Sequence, residues 1–439
     1  MWTYHLDLLD RAVPRYTSYP TAAEFGEGID QADIARALAG VAREEPVSLY
    51  LHIPYCHEIC WYCGCNTGSA ARQGRLDAYV EALGSEIDLV ATRLGGRGRV
   101  RRIAFGGGSP NALSSLQFVR LFDRLVTAFA ASEVDVSIEL DPRTLDRPWI
   151  DAVAGIGIRS ASLGVQSFSP QIQAAIGRVQ PVEMIAAATD ALRGAGVTSL
   201  NFDLMYGLPG QDEAELERSI AAALALGPDR LAVFGYAHLP QMFSRQRRID
   251  GATLPGAEAR FRQAALAHDM LVGARYQPIG FDHFARPGDP LAVAARTGGL
   301  RRNFQGFTED RCDTLIGLGA SAISRLEGLL AQNEKAPGRY RMRLSADQLP
   351  VQRGIAIGAE DLRRGQMIER LLCDGRATID PDIAIAAQHR IAPFVERGLA
   401  RFDGGELAIL PAGLPYARSI AATLDAYRAT SAGAFSRAV

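Results

Sequence analysis

The sequence contains no long hydrophobic run and has almost no net charge. None of its segments approaches the ~20 consecutive apolar residues that a membrane-spanning helix needs. The first 16 residues, MWTYHLDLLDRAVPRY, lack the basic region and the apolar core of a secretory signal. The formal net charge of −2 provides no general attraction to nucleic acid or to an anionic membrane surface. We therefore expect a cytoplasmic protein that binds neither nucleic acid nor membrane.

The sequence also has no internal repeat of solenoid length and no low-complexity tract. Its 48% hydrophobic and 22% charged residues are typical of a globular protein. A chain of 439 residues exceeds the size at which single hydrophobic cores usually stop growing. One large domain accompanied by a smaller one is the expected organisation.

Cysteine is scarce, but four of the six cysteines lie within ten residues, from Cys56 to Cys65. Thiols concentrated in this way, in a chain without an export signal, favour a metal site over a disulfide framework. Cys312 and Cys373 lie far from this group, and we expect them to be buried as small hydrophobic residues.

The segment YLHIPYCHEICWYCGC contains a C-x3-C-x2-C pattern formed by Cys56, Cys60 and Cys63. Three thiolates at this spacing can bind three irons of a cubane [4Fe-4S] cluster and leave the fourth iron open to a small molecule. The alternative is a zinc site, to which His52 and His57 could contribute. Zinc sites normally use C-x2-C pairs or nearby histidines. Although these two histidines lie close, the spacing of three and then two residues between the cysteines fits the cluster better. This spacing is typical of radical S-adenosylmethionine (SAM) enzymes, in which SAM binds the open iron.

Short β-rich segments alternate with helical patterns from residue 47 onward. Several of the segments are apolar nearly throughout, as is typical of strands covered on both faces. Between them, apolar residues repeat at helical spacing, for example at Tyr79, Leu83, Ile87 and Val90. Six β-then-α units predict a parallel sheet curled into a partial barrel. The candidate strands are residues 47–53, 101–107, 134–141, 160–167, 200–208 and 230–239.

Chemically distinctive residues occur at the carboxyl ends of these predicted strands, where the sites of parallel barrels lie. The cysteine loop follows the first strand, and GGGSP, residues 106–110, ends the second. Glu139 and Asp141 end the third strand, Gln166 ends the fourth, and Asp203 lies on the fifth. The sequence therefore predicts one composite active site at this edge of the sheet.

Each of these motifs also has a simpler interpretation. GGGSP suits a backbone cradle for the amino-acid end of SAM, but it could be only a strand-ending turn. Glu139 alone would more often be a solvated group or one half of an ion pair. Gln166, Arg178 and Asp203 could form a second polar cluster, which the residues alone leave open. His268 lies on an apolar helical stripe, and we expect a partly buried histidine rather than a base.

Three segments are rich in Arg, Tyr, Asn or Gln and are longer than turns require: RYTSYPTA (15–22), GFDHFARP (280–287) and RRNFQGF (301–307). Loops of this kind commonly carry binding residues. Arginine and tyrosine suit a ligand with several carboxylates, because a guanidinium group pairs with a carboxylate through two hydrogen bonds.

We expect three parts in the chain: an amino-terminal arm over residues 1–46, the barrel with its substrate loops over 47–345, and a capping domain over 346–439. Within 397–427, a helix, a strand, a GG turn, a second strand and another helix predict a winged-helix-like α+β fold. A winged helix could bind DNA, but this segment is not notably basic and lacks a recognition helix rich in Arg or Asn. A lid over the barrel mouth is the favoured interpretation.

Taken together, these segments resemble the oxygen-independent coproporphyrinogen III oxidases (dehydrogenases), which are radical SAM enzymes of haem biosynthesis. The resemblance covers nearly the whole chain, from RYTSYPTA through the cysteine loop, GGGSP, IELDPR, GVQSF, NFDLMYGLP, FGYAHLP, GFDHFARP, RNFQGF and GLGASAIS to the terminal FSRAV. It implies a partial (β/α)6 radical SAM barrel with a capping carboxyl-terminal domain, one [4Fe-4S] cluster and two SAM molecules. It also implies conversion of two propionate side chains of coproporphyrinogen III to vinyl groups, which gives protoporphyrinogen IX.

The resemblance implies a mechanism as well. The reduced cluster gives an electron to SAM, and the resulting 5′-deoxyadenosyl radical removes a hydrogen atom from the β-carbon of a propionate. Loss of CO2 and of one more electron leaves the vinyl group. The protein would supply position, exclusion of water and recognition of carboxylates. We therefore expect a small-molecule substrate, an external electron donor and a monomeric enzyme.

The resemblance places the family's site residues on this sequence position by position. Cys56, Cys60 and Cys63 would bind the cluster, and Cys65 would lie beside it without binding iron. Tyr50 and Cys65 would take part in catalysis. The residues expected around the first SAM are Tyr50, Tyr62, Gly107 and Glu139, and those expected around the second are Gly108, Ser109, Gln166, Arg178, Asp203, Ala237 and Ile323.

Three other functions compete with this interpretation. Haem chaperones of the same superfamily look shorter at the amino end and typically have C-D-F where this chain has C-G-C at residues 63–65. Other radical SAM reactions on tetrapyrroles or similar large rings could share the cluster loop and the barrel, but RYTSYPTA and RNFQGF favour the coproporphyrinogen branch. A winged-helix regulator would leave the cysteine loop unexplained. One departure from the family pattern is Ser109, where threonine is more common; both residues supply a hydroxyl.

Overall fold

A computed structural model of the chain describes residues 2–9 and 12–429. The FSRAV motif and the rest of residues 430–439 lie outside this described part. The helices are α1 Leu6–Leu9, α2 Gln31–Gly40, α3 Gln73–Leu94, α4 Ser115–Ala128, α5 Arg147–Ile156, α6 Pro170–Ala175, α7 Val182–Gly194, α8 Glu213–Leu226, α9 Ala257–Gly273, α10 Pro290–Arg296, α11 Pro337–Leu344, α12 Ala359–Asp374, α13 Pro381–Glu396 and α14 Ala417–Ala421.

Most of the strands are short. They are β1 Pro46–Ile53, β2 Tyr55–Cys56, β3 Gly68–Ser69, β4 Arg99–Gly107, β5 Asp135–Leu140, β6 Ser160–Gln166, β7 Ser199–Tyr206, β8 Arg230–Gly235, β9 Gln277–Ile279, β10 His283–Ala285, β11 Arg301–Asn303, β12 Gly306–Thr308, β13 Thr314–Leu318, β14 Ile323–Leu326, β15 Leu329–Asn333, β16 Val351–Ala356, β17 Arg376–Thr378, β18 Ala400–Asp403 and β19 Glu406–Ile409.

The centre of the fold is a parallel sheet in which β1, β4, β5, β6, β7 and β8 lie side by side in chain order. Helices connect each strand to the next, as is usual for crossover connections between parallel strands. The six predicted strands are therefore confirmed, although the last one ends at Gly235 rather than at residue 239. This arrangement brings the carboxyl ends of all six strands to one edge.

The sheet continues beyond the predicted strands on both sides. β13 pairs in parallel with the free edge of β1, and β14, β15 and β16 extend the sheet in antiparallel fashion. At the other end, β10 and β9 add to β8 in antiparallel pairs. Many of these strands have only three to five residues, which is too short for a periodic pattern to be recognised in the sequence.

The connecting helices bury their predicted apolar stripes against the sheet. In α3, Leu83 and Ile87 are completely buried. Helix α8 begins with an N-cap, because the Asp212 side chain accepts a hydrogen bond from the backbone N–H of Glu215 at 2.8 Å. Such an N-cap satisfies one of the unpaired donors of the first helical turn. Among the described residues, no helix has the length and apolar character needed to cross a membrane.

The carboxyl-terminal part is a winged-helix-like α+β unit. It contains α12, α13 and a small antiparallel sheet in the order β17, β19, β18. The GG turn at residues 404–405 joins β18 to β19, and both glycines have positive φ. This unit shares a hydrophobic cluster with the amino-terminal arm, including Leu9 and Tyr16. The Tyr16 hydroxyl also donates to the Asp425 carboxylate at 2.9 Å, so the segments around these two residues pack together.

Candidate active site

A cavity of about 630 Å³ opens at the carboxyl ends of the parallel strands. The loop after β1, the end of β4 and residues on or after β5, β6, β7 and β8 all contribute to its wall. The composite site expected from the sequence is thus one continuous cavity. The predicted site residues that line it are Cys56, Cys60, Tyr62, Cys63, Cys65, Gly107, Gly108, Ser109, Glu139, Gln166, Arg178, Asp203 and Ala237.

Two predicted site residues, Tyr50 and Ile323, are not part of this wall. Tyr50 is buried on β1 against Phe304, with the ring centroids 4.3 Å apart. Its hydroxyl lies 3.4 Å from Nδ1 of His52. Ile323 begins β14 and lines a separate cavity of about 120 Å³, to which Phe304 also contributes. Tyr50 and Ile323 therefore both lie near Phe304 and outside the wall of the main cavity. Tyr50 is still close to two predicted site residues, because burial and the nearby charges of Glu139 and Cys65 raise its pKa.

The cysteine loop is held in place by segments that are distant in sequence. Its start forms β2, which pairs in parallel with β3. The backbone N–H of Trp61 donates to the Ile176 carbonyl at 2.9 Å. The side-chain amide of Gln246 donates to the Tyr62 carbonyl at 2.7 Å. Packed on both sides in this way, the loop keeps its thiols at the cavity wall.

The thiols of Cys56 and Cys63 have opposite pKa shifts. Burial raises the pKa of Cys56 to about 11, although the Thr67 hydroxyl, 3.4 Å from its sulfur, opposes this shift. Hydrogen bonding from Cys65 lowers the pKa of Cys63 to about 6 and outweighs the effect of burial. The backbone N–H of Cys65 lies 3.3 Å from the Cys63 sulfur. Donors at both sulfurs favour the thiolate form, which is the form that binds metal.

Two buried arginines lie beside Cys60. Nη1 of Arg178 is 3.3 Å and Nη2 of Arg143 is 3.5 Å from the Cys60 sulfur. Both guanidinium groups contact the carboxylate of Asp141, at 3.3 Å and 2.7 Å, and each arginine side chain is only 7% exposed. Burial acts to lower the pKa of Arg178, but Tyr62 and Asp141 raise it above the ordinary value. The sulfur of Cys60 therefore lies next to permanent positive charge.

The glycines of GGGSP are required by contacts within the protein. Gly107 has a φ of 112°, and a Cβ there would lie 2.6 Å from the His52 ring. A Cβ on Gly108 would lie 2.6 Å from the Tyr55 carbonyl oxygen. A bulkier residue at either position would push this turn away from the cysteine loop. The cradle predicted for a ligand is thus also a close contact between β1, β4 and the loop.

Two carboxyl groups at the cavity have raised pKa values. Burial, reinforced by nearby Asp203, raises the pKa of Glu139 to about 7, against the 3.2 Å hydrogen bond from the backbone N–H of Gly107. Burial also raises the pKa of Asp203, whose carboxylate accepts hydrogen bonds from Ser162 at 3.1 Å and Asn201 at 2.8 Å. A ligand with positive charge would lower the cost of ionising both groups.

Gln166 occupies an unusual backbone conformation. Its φ of 69° is uncommon for a residue other than glycine, and the pairing of β6 with β7 has an irregularity at this point. Conformations of this kind cluster at functional sites, where the surrounding structure maintains them. The side chain of Gln166 lines the cavity close to Arg178, which donates to the Gly164 carbonyl at 2.6 Å.

The three cysteines of the C-x3-C-x2-C pattern fit an iron–sulfur cluster better than a single ion. In the described part of the chain, no three His, Cys, Asp or Glu side chains converge on a point where one metal ion could bind. A zinc site needs such convergence, whereas the cysteines of a cubane bind separate irons. Cys56, Cys60 and Cys63 all open to one cavity, none forms a disulfide, and each has a hydrogen-bond donor near its sulfur.

Comparison with known proteins identifies the family of this chain. Residues 50–223 match the family described as the Radical SAM superfamily. The oxygen-independent coproporphyrinogen III oxidase of Bradyrhizobium diazoefficiens is 41% identical over 440 residues, which cover 98% of this chain and 98% of that protein. The chain therefore belongs to the oxygen-independent coproporphyrinogen III oxidase family. The oxygen-independent coproporphyrinogen III oxidase of Escherichia coli, another member, is 38% identical over 94% of this chain and 93% of its own length.

A solved structure of the family has the same fold. Coproporphyrinogen III oxidase (HemN) from Escherichia coli, a radical SAM enzyme, superposes with a TM-score of 0.91 at 36% identity, over 97% of this chain and 99% of that chain. The predicted radical SAM barrel with its additional domains is thus confirmed. Radical SAM enzymes use a [4Fe-4S] cluster and SAM, so both belong to this oxidoreductase family. The alternatives of a haem chaperone, another ring-modifying enzyme or a regulator are not favoured.

Some residues that support this coproporphyrinogen oxidase site were not predicted from the sequence. Asn111 donates to the Asp141 carbonyl at 2.8 Å, accepts from its backbone N–H at 3.0 Å, and accepts the Ser109 hydroxyl. It thereby ties the end of β5 to the GGGSP turn. Its position directly after that motif was an available signal, as was the place of Arg143 within IELDPR. Gln246 had no local signal, because its partners are distant in sequence.

The three loops rich in arginine and tyrosine meet beside the main cavity. The guanidinium group of Arg302 donates to the Arg15 carbonyl at 3.0 and 3.1 Å. The same group lies over the rings of Phe281 and Phe307, 4.8 and 4.3 Å from their centroids. The segments 15–22, 280–287 and 301–307, which sequence analysis singled out as binding loops, are therefore neighbours.

Other predictions concern residues outside the cysteine loop. His268 is half-buried, as expected, with its ring near Trp2 and Phe284 at centroid distances of 4.6 and 6.0 Å. Cys373 is buried, as expected, whereas Cys312 is only half-buried. Neither cysteine forms a disulfide.

Proposed function

We propose that this protein converts coproporphyrinogen III to protoporphyrinogen IX without oxygen, by oxidative decarboxylation of two propionate side chains to vinyl groups. The observation that carries the proposal is the cysteine loop at a cavity of about 630 Å³, in a chain that belongs to the coproporphyrinogen III oxidase family. A cavity of this size can accommodate a large organic ligand. Nearby arginines suit a substrate that carries several carboxylates.

We infer that Cys56, Cys60 and Cys63 hold one [4Fe-4S] cluster. The Arg178 guanidinium and the backbone N–H of Cys65 donate to two of these sulfurs, at 3.3 Å in both cases. Such hydrogen bonds stabilise negative charge on sulfur and influence the reduction potential of a cluster. Cys65 is exposed and would lie beside the cluster rather than bind it.

We further propose that two SAM molecules bind in this cavity. Tyr62, Gly107 and Glu139 would surround the first SAM, with Tyr50 behind them. Because burial raises the pKa of Glu139, a cationic group beside it would stabilise its ionised form. Gly108, Gln166 and Asp203 are on the same wall, which supports a second site there. The remaining members of the second set are Ser109, Arg178, Ala237 and, more distant in the structure, Ile323.

When bound, the cluster and SAM supply the electron and the carbon radical that takes one hydrogen atom from the β-carbon of a propionate. That side chain then loses its carboxylate as CO2 and one electron to an external acceptor, so the remaining two carbons become a vinyl group. The protein's residues position the substrate and exclude water from the reacting carbon. Cys65 and Tyr50 are the residues proposed to assist this step.

We also propose that the enzyme works as a cytoplasmic monomer and receives electrons from an external donor. The six cysteines of the chain are unpaired, as in a reducing compartment. Residues 1–46, 47–345 and 346–439 would act as arm, barrel and cap. A small cavity beside the main one is partly closed by Arg418 and Pro415, which supports a capping role for the last part.

The proposal can be tested with protein reconstituted anaerobically with iron and sulfide. Incubation with coproporphyrinogen III, SAM and a reductant should yield protoporphyrinogen IX, detected by chromatography after oxidation. Cys60→Ala, treated in the same way, is the negative control. A reconstituted protein that cleaves SAM yet leaves coproporphyrinogen III unchanged would contradict the proposed reaction, and a different tetrapyrrole product would favour another ring-modifying activity.

A further inference from the structure

A segment between β8 and α9 covers the cysteine loop. We call residues 239–249 the covering segment. The guanidinium group of Arg245 donates to the Thr67 carbonyl at 3.2 Å. The ring of Phe243 packs so close to Gly64 that a Cβ on this glycine would lie 3.3 Å from it. The covering segment therefore lies directly on the loop that carries the three proposed cluster ligands.

The covering segment has two exposed arginines, Arg247 and Arg248. Nε of Arg247 donates to the Pro240 carbonyl at 3.3 Å. The guanidinium group of Arg248 lies over the ring of Trp61 in the cysteine loop, 5.6 Å from its centroid. Within the described part of the chain, neither arginine forms an ion pair. Asp250, the next acid along the chain, caps the turn that follows it. Both guanidinium groups therefore present uncompensated positive charge to solvent.

A further cation lies at the same end of the cysteine loop. The side-chain amide of Asn66 donates to the Lys335 carbonyl at 2.9 Å. Lys335 is exposed and forms no ion pair with any described carboxylate. Because Asn66 and Thr67 are adjacent, the contacts to Lys335 and to Arg245 occur side by side on the loop. Cations thus flank the loop from two segments that are distant in sequence.

Two carboxylates close to these cations in sequence or on the loop are already paired. Glu58, an exposed acid of the cysteine loop, forms an ion pair with Arg143 at 2.9 Å. Glu334, which precedes Lys335, forms one with Arg343 at 3.0 Å. The surface over the loop is therefore locally positive, although the whole chain has a net charge of −2. A local charge of this kind attracts acidic partners and speeds their association.

A positive surface at this place meets a need of the proposed reaction. The proposed cluster takes up one electron for each SAM that is cleaved, and that electron comes from outside the chain. Electron transfer slows steeply with distance, so a donor must dock close to the cysteine loop. Electron-transfer encounters use small interfaces, below about 1,200 Å² in total, so a short segment can form the centre of one. Arg247 and Arg248 are not part of the wall of the main cavity, which leaves them available to a partner.

We propose that the covering segment, through Arg247 and Arg248, is the docking surface for a small acidic protein that carries single electrons. The donor places its acidic surface on these two arginines, next to Trp61. It then loses one electron, which the cluster gains. The inference rests on the proposed cluster and the proposed function, because these create the need for a donor.

The test measures binding of flavodoxin, an acidic one-electron flavoprotein, to the reconstituted holoenzyme by isothermal titration calorimetry. The double variant Arg247→Gln/Arg248→Gln should bind it about three- to tenfold more weakly. Wild-type affinity should fall as salt is added, and the variant should respond less steeply. The matched control is Arg120→Gln/Arg376→Gln, which removes two exposed arginine charges from α4 and β17 and leaves the same net charge. It should bind flavodoxin like the wild type.

A second measurement separates docking from a structural defect. Reduced flavodoxin should bleach the cluster absorption of the Arg247→Gln/Arg248→Gln variant about three- to tenfold more slowly in stopped flow. Photoreduced 5-deazariboflavin, a small uncharged reductant, should reduce variant and wild type at rates within about twofold. Iron content should be that of the wild type. If loss of the contact with Trp61 lowers it, Arg247→Gln alone supplies the test, because Arg247 has no such contact with the loop.

The outcomes also distinguish this inference from the proposed function. Equal affinity of the two double variants for flavodoxin would overturn the docking surface, as would equal slowing with both reductants. A variant that binds coproporphyrin III more weakly but flavodoxin normally would assign the arginines to the substrate instead. If wild type converts coproporphyrinogen III with a chemical reductant while docking fails these tests, the function stands without the docking surface. If flavodoxin docks through these arginines and reduces the cluster but no protoporphyrinogen IX forms, the docking surface stands and the function fails.

Discussion

Three thiols of one short loop open to the main cavity, and each is expected to be indispensable for the cluster. Replacing Cys56, Cys60 or Cys63 by Ala would remove one of the three proposed protein ligands of the cluster, so iron should be lost. The measurement is iron content together with the absorption spectrum after anaerobic reconstitution. Cys312→Ala, at a half-buried thiol far from this loop in sequence, is the control and should keep its iron. Normal iron loading of a loop variant would remove that cysteine from the ligand set.

Cys65 is expected to behave differently from its three neighbours. It is exposed, and its contact with the Cys63 sulfur includes the backbone N–H, which alanine retains. Cys65→Ala should therefore keep iron and SAM cleavage while losing substrate turnover. Iron content, 5′-deoxyadenosine formation and product formation are measured on the same preparation. Failure of the variant to hold a cluster would show that Cys65 is itself a ligand.

Arg178 combines a structural contact with a proposed role in binding the second SAM. Its guanidinium group is ion-paired with Asp141 and donates to the Gly164 carbonyl at 2.6 Å. Breaking a buried ion pair typically costs 3 to 5 kcal/mol, so Arg178→Ala should lower the free energy of unfolding by about 3 kcal/mol. The SAM bound per cluster should fall from two toward one.

Urea unfolding of the cluster-free protein and equilibrium dialysis with SAM measure these two effects of Arg178→Ala. Arg147→Ala, at an exposed arginine, should change neither quantity. Two SAM molecules bound with unchanged affinity in Arg178→Ala would exclude this arginine from the second SAM site. Unchanged stability would contradict the buried ion pair.

At the scale of elements, the turn that ends β4 holds the cysteine loop against the sheet. The backbone N–H of Gly108 donates to the Ile53 carbonyl at 2.8 Å. The backbone N–H of Ser109 donates to the Tyr55 carbonyl, also at 2.8 Å. The contact leaves no room for a side chain at Gly108. From the sequence, GGGSP could be a ligand cradle or only a strand-ending turn. In the structure, packing between the two strands requires its glycines.

Gly108→Ala tests this packing directly. Its Cβ would lie 2.6 Å from the Tyr55 carbonyl oxygen, so the turn must move, at an expected cost of about 1 to 3 kcal/mol in the free energy of unfolding. The iron content should fall because the cysteine loop shifts with the turn. Gly155→Ala is the matched control on α5, where no atom lies within 4 Å, and it should be neutral or stabilise by up to about 1 kcal/mol. Equal stability of the two variants would refute the contact.

The elements that sequence patterns revealed are those covered on both faces. β1, β4, β5, β6, β7 and β8 are largely buried, and their apolar runs stood out. The strands added at the sides of the sheet were missed, although β13 is buried throughout. Its five residues resemble any short apolar segment, and only pairing with β1 makes them a strand.

At the scale of the whole molecule, the pH dependence of stability should include a contribution from His52. Burial lowers the pKa of His52 to about 4, whereas the unfolded chain should have a pKa near 6.5. Between these values the unfolded state binds the additional proton, so the free energy of unfolding falls as the pH is lowered from about 6.5 to 4. The loss approaches roughly 3 kcal/mol at the lower end. Above pH 6.5 this group has no effect on the slope.

His52→Gln removes the titration and should flatten the acid side of the stability curve. Urea unfolding of the cluster-free protein at several pH values from 7.5 to 4.5 measures the slope for wild type and variant. His389→Gln, at an exposed residue of α13, is the control and should leave the slope close to that of wild type. Parallel curves for wild type and His52→Gln would show that His52 takes up its proton as easily in the folded protein as in the unfolded chain.

The sequence by itself determined the cysteine spacing, the positions of the six central strands and the family to which the chain belongs. Each of these depends on short segments of contiguous residues. Tertiary structure decided which of the remaining residues meet. It placed Tyr50 and Ile323 outside the wall of the main cavity, and it brought Arg15, Phe281 and Arg418 together from three distant parts of the chain. Contacts between distant segments depend on strand order and on the packing of the amino-terminal arm against the carboxyl-terminal unit. No local sequence pattern specifies either of these.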